Sequence, residues 1–361
     1  MRTYFFQQSN SQSDKPCLIK AFQQKSSSFA KLFALLTTLF LALAFCACSS
    51  MLKGVVTGGT PSGYGPTSTP VAGTDFVKIS AGNRELSVSG SGGSGSYEVT
   101  ITRPYEICNH EVTQKEYETY CNYGDTSKQP SDKYGKGNNL PAYSVSWYDA
   151  IVYCNLRSKA ENLTPCYKMN GTTDVRTWPG IVTEGSGTAA RYCGPSDNNT
   201  GWNSVTCDFN ANGYRLPTEA EWQMAAYGSA GTSFAWAGTR DRSKVVDYAW
   251  VRENSDGKAH EVKQKKPNGY GLYDMSGNVR EWCWDWHDSA SLPQGSVSLP
   301  FGLSAGGKTA TDPTGHVSGS FREVRDGSWN YYVSDFMIIK RDCSSPQKRD
   351  YYGFRVVRTA R

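Results

Sequence analysis

The segment of residues 325–358 constrains the fold of this chain more than any other stretch. It opens with the sequence GSWN and closes with GFRVV. Between these ends its aromatic, aliphatic and small polar residues follow neither the period of a strand nor that of a helix. Such a segment keeps a fixed shape only if the rest of the protein holds its ends. We therefore expect Trp329 and Phe354 to be buried, and Arg341 and Arg355 to bind buried carbonyls or carboxylates.

The interior of this segment has the composition of a binding surface. Tyrosine supplies a large contact area at a low entropy cost, and small polar residues add adaptable hydrogen bonds. Side chains that bind a partner must project into solvent, because only then does their replacement leave the core unchanged. We predict an exposed ligand-binding set that consists of Tyr331, Tyr332, Ser334, Asp335, Phe336, Ile338, Ile339, Asp342, Cys343, Ser344, Asp350, Tyr351 and Tyr352.

Composition favours an irregular globular fold and argues against binding to nucleic acid. The 361 residues suffice for a sizeable core. Helical periodicity is scarce, whereas 36 Gly and 10 Trp favour loops that are fixed by buried indoles. The formal net charge of +5 is small and evenly spread, unlike the basic patch of a nucleic-acid-binding protein.

Residues 1–47 have the pattern of a lipoprotein signal peptide. A basic region precedes an apolar run at 32–45, which is shorter than the ~20 residues of a membrane-spanning helix. A cysteine directly after such a run resembles a bacterial lipoprotein signal, in which the new N-terminal cysteine is acylated. Cys48 is the predicted lipidation site, since it follows a small alanine, whereas Cys46 follows a bulky phenylalanine. A plain cleaved signal is the alternative.

Residues 48–74 are rich in Gly, Ser, Thr and Pro and predict a flexible tether. The folded domain is therefore expected to span 75–361. Export permits disulfides, but the spacing of the eight cysteines that follow the tether does not give a connectivity.

Regular elements within this domain are predicted to be few and short. Alternating patterns predict strands at 76–79 and 97–103. Residues 168–212 are polar and Gly-rich and predict loops with short strands. Three tryptophans alternate along the chain at Trp282, Trp284 and Trp286, so one face of a strand would carry only indoles. Core packing is the simplest explanation of this pattern. N-cap signals predict three helices: one from Thr113, one over 141–155 with Ser146 as its cap, and one over 217–227 with Thr218 as its cap.

Three separated motifs resemble the formylglycine-generating enzyme (sulfatase-modifying factor) family. They are YRLPTEAEW at 214–222, NGYGLYDMSGNVREW at 268–282 and the frame DGSW…R…P…GFR at 326–355. The likeness extends over about 75–361. It implies an α+β fold of the C-type-lectin-like kind, irregular, with few helices and an antiparallel sheet.

The resemblance does not extend to the catalytic residues. Oxidase members of the family bind copper through a pair of cysteines, which are soft ligands suited to Cu(I). The corresponding positions here are Tyr331 and Phe336, neither of which supplies a thiolate. We therefore predict no copper and no enzymatic activity. An oxidoreductase with a different arrangement of cysteines is the alternative.

The resemblance also implies a structural calcium site in the second motif. Its ligands would be the carboxylates of Asp274 and Glu281 and the carbonyls of Gly277 and Val279. Hard oxygen donors on a tight loop suit Ca²⁺. A carboxylate that caps the turn without a metal is the alternative.

Within this family, the chain most resembles variable proteins diversified by retroelements, such as the treponemal variable lipoprotein. These carry a variable region between GGSW and GFRVV, in which asparagine codons are changed at adenines. One departure is Asp326, where that frame usually has glycine. The resemblance implies a lipoprotein on the bacterial outer membrane that binds a protein or glycan on another cell. A structural lipoprotein of a secretion or motility apparatus is the alternative.

Overall fold

The computed structural model describes residues 65–89, 94–124, 128–229, 234–287, 300–303, 307–347 and 350–360. The predicted signal peptide, Cys48 and most of the predicted tether lie outside these residues. Among the helices that the structure describes, none is long and apolar enough to cross a membrane.

Each α-helix in the described residues begins with a capping box, as the sequence predicts. In each, the N-cap hydroxyl accepts a hydrogen bond from a backbone N–H, and a carboxylate three residues on accepts one from the N-cap N–H. The second helix begins later than predicted, because Ser144 has a φ of 56° that no α-helix accommodates. The helices are α1 Gln114–Tyr120, α2 Trp147–Ala160 and α3 Glu219–Tyr227.

In the part of the chain that the structure describes, short strands form five sheets. All their pairings are antiparallel except that of Arg280–Trp286 with Tyr352–Gly353 and that of Thr309–Thr311 with Gly95–Ile101. The two predicted strands are confirmed, and 168–212 contains only two- and three-residue strands, as expected. The strands are β1 Ser68–Pro70, β2 Phe76–Ile79, β3 Gly82–Val88, β4 Gly95–Ile101, β5 Tyr105–Cys108, β6 Tyr167–Lys168, β7 Val182–Glu184, β8 Arg191–Cys193, β9 Thr206–Cys207, β10 Tyr214–Arg215, β11 Arg280–Trp286, β12 Thr309–Thr311, β13 Arg322–Arg325, β14 Asp342–Ser344, β15 Tyr352–Gly353 and β16 Val357–Thr359.

A four-stranded sheet positions the 325–358 segment. Its order is β14-β13-β11-β15. The segment leaves this sheet at the end of β13, returns to it as β14 and β15, and continues into β16. That last strand lies between β5 and β10 in a five-stranded sheet of order β1-β2-β5-β16-β10. Both ends of the segment are therefore fixed by sheet pairing.

The prediction that the tether extends to residue 74 is wrong for its last residues. Ser68–Pro70 forms β1, which pairs antiparallel with β2, and Val71 packs against the core. The strand contributes backbone hydrogen bonds at a sheet edge, where Pro70 is tolerated and little apolar surface is needed. Amino-acid composition reflects only the capacity for apolar burial, so it gives no sign of such an edge strand.

Buried indoles hold the loops, as composition suggests. The indole N–H of Trp282 donates to the carbonyl of Val145 at 2.8 Å, and that of Trp147 donates to Cys283 at 3.0 Å. Trp282 and Trp286 are buried and Trp284 is half-buried against the same core, so packing accounts for the alternating tryptophans. The eight described cysteines form no disulfides with one another.

Candidate functional site

The C-terminal end of the segment is held by a buried arginine. The guanidinium of Arg355 donates to both carboxylate oxygens of Glu281 at 2.6–2.9 Å. Glu281 also accepts the indole N–H of Trp222 at 2.7 Å. Phe354 is fully buried, with its ring 5.3 Å from that of Tyr153. The predicted burial of Phe354 and the pairing of Arg355 are confirmed.

A second buried arginine holds the middle of the segment. Arg341 donates to the two carboxylate oxygens of Glu219 at 2.6 and 2.9 Å and to Glu323 at 3.0 Å. Arg325 donates to Glu219 at 3.1 Å. Burial alone would raise the pKa of Glu219, but Arg341 and Arg325 lower it to about 2. The predicted pairing of Arg341 is confirmed, and it joins the segment to the first turn of α3.

The opening of the segment is fixed by Trp329 and Asp326. Trp329 is buried, as predicted, with its ring 5.0 Å from that of Tyr143. Asp326 has a φ of 72°, a conformation that favours glycine but that aspartate tolerates. Its carboxylate accepts the N–H of Gly277 at 2.7 Å. This hydrogen bond explains how aspartate is accommodated where the frame usually has glycine.

An aromatic cluster gathers four members of the predicted set around Arg280. The Arg280 guanidinium lies 5.1 Å from the ring of Tyr331 and 5.3 Å from that of Tyr352, and pairs with Asp342 at 2.7 Å. The ring of Tyr351 is 5.7 Å from that of Tyr331 and 5.4 Å from that of Tyr352. Burial, followed by the neighbouring Tyr331, raises the pKa of Tyr351 to about 12, so its phenol stays neutral at physiological pH.

A turn beside the cluster presents the most exposed aromatic ring of the set. Tyr332 is 47% exposed, and the guanidinium of Arg252 lies 4.9 Å from its ring centre. The backbone N–H of Val333 donates to the carboxylate of Glu253 at 3.0 Å, which fixes the turn. Ser334 is exposed and Asp335 half-buried next to it.

Four residues of the predicted exposed set are buried, so that part of the prediction is wrong. Phe336 packs with Trp236 and lies under Gly327, where an added Cβ would sit 2.4 Å from the ring. Ile338 belongs to a large cluster of buried apolar residues that also contains Leu86 and Met224. Tyr352 packs its ring 5.1 Å from that of Trp282, and Ser344 is buried on β14.

The remaining nine members of the set are accessible to solvent. Three are exposed and six are half-buried. Ile339 is among the half-buried residues, where it packs against the edge of the core. The accessible set consists of Tyr331, Tyr332, Ser334, Asp335, Ile339, Asp342, Cys343, Asp350 and Tyr351.

The predicted calcium ligands lie among other buried carboxylates. The Oδ1 atom of Asp274 is buried without a hydrogen-bond partner, whereas its Oδ2 accepts the N–H of Lys263 at 2.8 Å. Burial raises the pKa of Asp274 to about 6. Glu281 is already bound by Arg355 and Trp222, so it coordinates a cation only if it gives up one of these bonds. Asp274 therefore suits a cation better than Glu281 does, and calcium stays a prediction.

The residues that support the surface from outside the segment were not predicted from the sequence. Arg280 lies in the recognised motif, and Arg252 and Glu253 lie in a loop without any pattern. Glu219 and Glu323 bind Arg341 from α3 and β13. No signal in the sequence identifies the loop residues, since their role depends on contacts with residues about 80 positions away.

Comparisons with known proteins agree with this architecture. Residues 65–360 match the family described as sulfatase-modifying factor enzyme 1-like domain. The chain is 37% identical over 235 residues to "Chaperone protein LppX" of Paenibacillus barcinonensis, covering 61% of this chain and 74% of that one. It is 31% identical to the formylglycine-generating enzyme of Streptomyces coelicolor, covering 44% of this chain and 51% of the enzyme. It thus spans about half of that enzyme's length.

Solved structures share the fold. Treponema denticola variable protein 1 superimposes with a TM-score of 0.64 at 32% identity, covering 83% of this chain and all of that one. PvdO from Pseudomonas aeruginosa, at 20% identity and a TM-score of 0.51, shares the fold alone. The expected fold, an irregular α+β fold of the C-type-lectin-like kind with few helices and mostly antiparallel sheets, is confirmed.

Proposed function

The chain belongs to the sulfatase-modifying factor enzyme 1-like family, and we propose that it is a non-enzymatic lipoprotein that binds a ligand through its 325–358 segment. The observation that carries this proposal is that the segment combines buried residues with accessible ones. Buried Trp329, Arg341, Phe354 and Arg355 fix its backbone, while nine side chains are accessible on it. Such a surface accepts changes of side chain without a change of fold.

The aromatic cluster and the neighbouring turn form the central part of the proposed binding surface. Tyrosine and arginine are the residues that most often dominate binding energy at interfaces. Tyr331 and Tyr351 offer half-buried rings beside Arg280, and Tyr332 offers an exposed ring beside Arg252. A protein or glycan ligand suits this mixture of aromatic faces and hydrogen-bonding groups. The likeness to Treponema denticola variable protein 1 supports diversification of the segment by a retroelement.

The proposed lack of enzymatic activity is supported by the residues at two positions. Tyr331 and Phe336 stand where the family's oxidases have the copper-binding cysteines, and Phe336 is buried under Gly327. Copper binding and turnover of a sulfatase-derived cysteine peptide test this point directly. Stoichiometric copper binding together with formation of formylglycine would overturn it.

Display on the outer membrane through a lipid is the remaining part of the proposal. It is supported by the lipoprotein-type sequence around Cys48. Metabolic labelling with a fatty acid analogue should mark the wild type and spare the Cys48→Ser variant. Equal labelling of both would refute lipidation at this residue.

Binding is tested with the purified full chain on a glycan array and on intact host cells. We expect the double variant Tyr332→Ala, Tyr351→Ala to lose at least tenfold in affinity while its melting temperature changes little. The matched control is Tyr192→Ala, which removes a half-buried tyrosine on β8, outside the segment. The assignment of the surface would be refuted if the double variant bound as tightly as the wild type to every glycan or cell that binds the wild type. Sequences of residues 325–358 from several isolates test diversification separately.

A further inference from the structure

Two arginines from outside the segment flank two of its consecutive tyrosines. The backbone N–H of Arg252 donates to the carbonyl of Tyr331 at 2.9 Å, and the Arg252 guanidinium lies 4.9 Å from the ring centre of Tyr332. The guanidinium of Arg280 donates to the hydroxyl of Tyr331 at 3.0 Å. Because neither arginine belongs to residues 325–358, both are present whatever side chains the segment carries.

The carboxylates beside these tyrosines already have hydrogen-bond donors. Both oxygens of Glu253 accept the N–H of Val333, at 3.0 and 3.3 Å. The oxygens of Asp335 accept a backbone N–H and a hydroxyl of the same turn, each at 3.1 Å. The carboxylate of Asp342 pairs with a guanidinium at 2.7 Å and accepts a backbone N–H at 2.8 Å. Asp350, which is exposed near the end of the segment, is the exception among the accessible acids.

The guanidinium of Arg252, in contrast, has unused donors. Arg252 is exposed, and among the described residues its guanidinium has no hydrogen-bond or ion-pair partner. Stacking on Tyr332 uses only the face of the guanidinium, so its edge stays free for an acceptor. A carboxylate fits that edge, since it accepts two parallel N–H bonds from one guanidinium.

Arg280 adds a second unused donor. It is 3% exposed, and its Nε atom has no hydrogen-bond partner among the described residues, although its other nitrogens bind Tyr331 and Asp342. A buried donor without an acceptor costs free energy, which an acceptor on a ligand would recover. The unused groups beside Tyr331 and Tyr332 are therefore donors on positively charged side chains.

We propose that this surface recognises an acidic segment of a protein, and that the guanidinium of Arg252 binds an aspartate or glutamate side chain of that ligand. An ionised carboxylate only accepts hydrogen bonds, so it matches a site whose unused groups are donors. A sugar hydroxyl also donates, and the carboxylates of Glu253, Asp335 and Asp342 that could accept from it are occupied. These contacts favour an acidic protein over a glycan. The inference rests on the proposed function, because it concerns the ligand of the same surface.

The size of the effect follows from the charge on both partners. Loss of a hydrogen bond between charged groups weakens binding roughly 10- to 100-fold. Removing the guanidinium or the ligand carboxylate should each have this effect. Removing both should weaken binding little more than removing one, since the second change has no interaction left to break.

The experiment measures binding of the purified full chain to an array of random-sequence peptides and to an array of sialylated and neutral glycans. We expect the retained peptides to contain Asp or Glu, and their Asn- or Gln-substituted versions to bind roughly 10- to 100-fold more weakly. Equal binding of acidic peptides and their amide versions overturns the proposal. Retention of glycans but of no peptide, sialylated glycans included, overturns it as well.

A variant of Arg252 assigns the effect to one side chain. Arg252→Gln should bind acidic peptides roughly 10- to 100-fold more weakly and bind their amide versions like the wild type. The matched control Arg176→Gln removes an exposed positive charge within residues 168–212 and should leave binding unchanged. Unchanged affinity in Arg252→Gln, or an equal loss in Arg176→Gln, overturns the proposal.

Failure of this inference is distinguishable from failure of the proposed function. If Arg252→Gln binds like the wild type while the double variant Tyr332→Ala, Tyr351→Ala loses affinity, the binding surface stands and its preference for acids is wrong. If the double variant also binds like the wild type, the surface itself is wrong, and the inference fails with it.

Discussion

The division of the segment into buried and accessible residues is tested by removing one side chain of each kind. Phe336 is 3% exposed and packs in a small apolar cluster with Trp236 and Val251, so Phe336→Ala should cost about 3–5 kcal/mol. Tyr332 is 47% exposed, and its main contact is the Arg252 guanidinium 4.9 Å from its ring. Such an exposed cation–π contact contributes about 0.5–1 kcal/mol, so Tyr332→Ala should cost no more than that.

Thermal unfolding followed by circular dichroism measures the difference. At about 2–4 °C per kcal/mol, Phe336→Ala should lower the melting temperature by roughly 6–20 °C and Tyr332→Ala by roughly 1–4 °C. Phe336→Leu serves as a control, because it keeps an apolar side chain in the cluster and should recover most of the loss. A Tyr332→Ala shift as large as that of Phe336→Ala would show that the exposed turn is part of the core, and would refute the division.

Two further predictions concern buried charges. The pKa of Glu219 in the folded state, about 2, lies below its ordinary value of 4.5, so this residue contributes stability that is complete above about pH 5 and is lost as the pH falls toward 2. Urea unfolding between pH 2 and 7 should show this loss of stability. Glu219→Gln leaves Arg341 without its carboxylate, so it should lower the free energy of unfolding by roughly 3–5 kcal/mol at pH 7 and remove this pH dependence. If Asp274 takes part in a calcium site, Ca²⁺ at 100 times its Kd should add about 2.7 kcal/mol to the free energy of unfolding. Asp274→Asn should abolish this gain, and an identical melting temperature in Ca²⁺ and in EDTA would refute the site.

Local signals in the sequence predicted the helix starts because a capping box is complete within four residues. The hydroxyl is provided by Thr113, Ser146 and Thr218, and in each case the carboxylate that accepts from the N-cap N–H lies three positions later. The pairing of Arg341 and Arg355 with carboxylates was predictable for a different reason. A charge in a segment that must be held by the core requires a buried partner. The identity of those partners, Glu219 and Glu281, depends on tertiary contacts.

Exposure within the segment was predicted less well, because an irregular backbone has no period that relates neighbouring side chains. Ile338 enters the core while Ile339 lies at its edge, and Phe336 is buried four residues after exposed Tyr332. Gly327 makes room for the Phe336 ring from the other end of the loop. This relation between two residues nine positions apart leaves no pattern in the sequence.

Hydrogen bonds of the main chain hold the segment to the rest of the domain. The indole of Trp236 donates to the carbonyl of Phe336 at 2.9 Å, and the N–H of Ile338 donates to Ala235 at 2.8 Å. Ser89 donates to the carbonyl of Ile339 at 2.7 Å and accepts from the N–H of Arg341 at 2.8 Å. These bonds use main-chain atoms of the segment and side-chain or main-chain atoms of the scaffold, so replacing an accessible side chain leaves them intact. Within the predicted exposed set, the side chains at positions 336, 338, 344 and 352 are buried in this frame. We expect substitutions there to be tolerated only if they preserve size and polarity, and substitutions at the nine accessible positions to disturb the fold less.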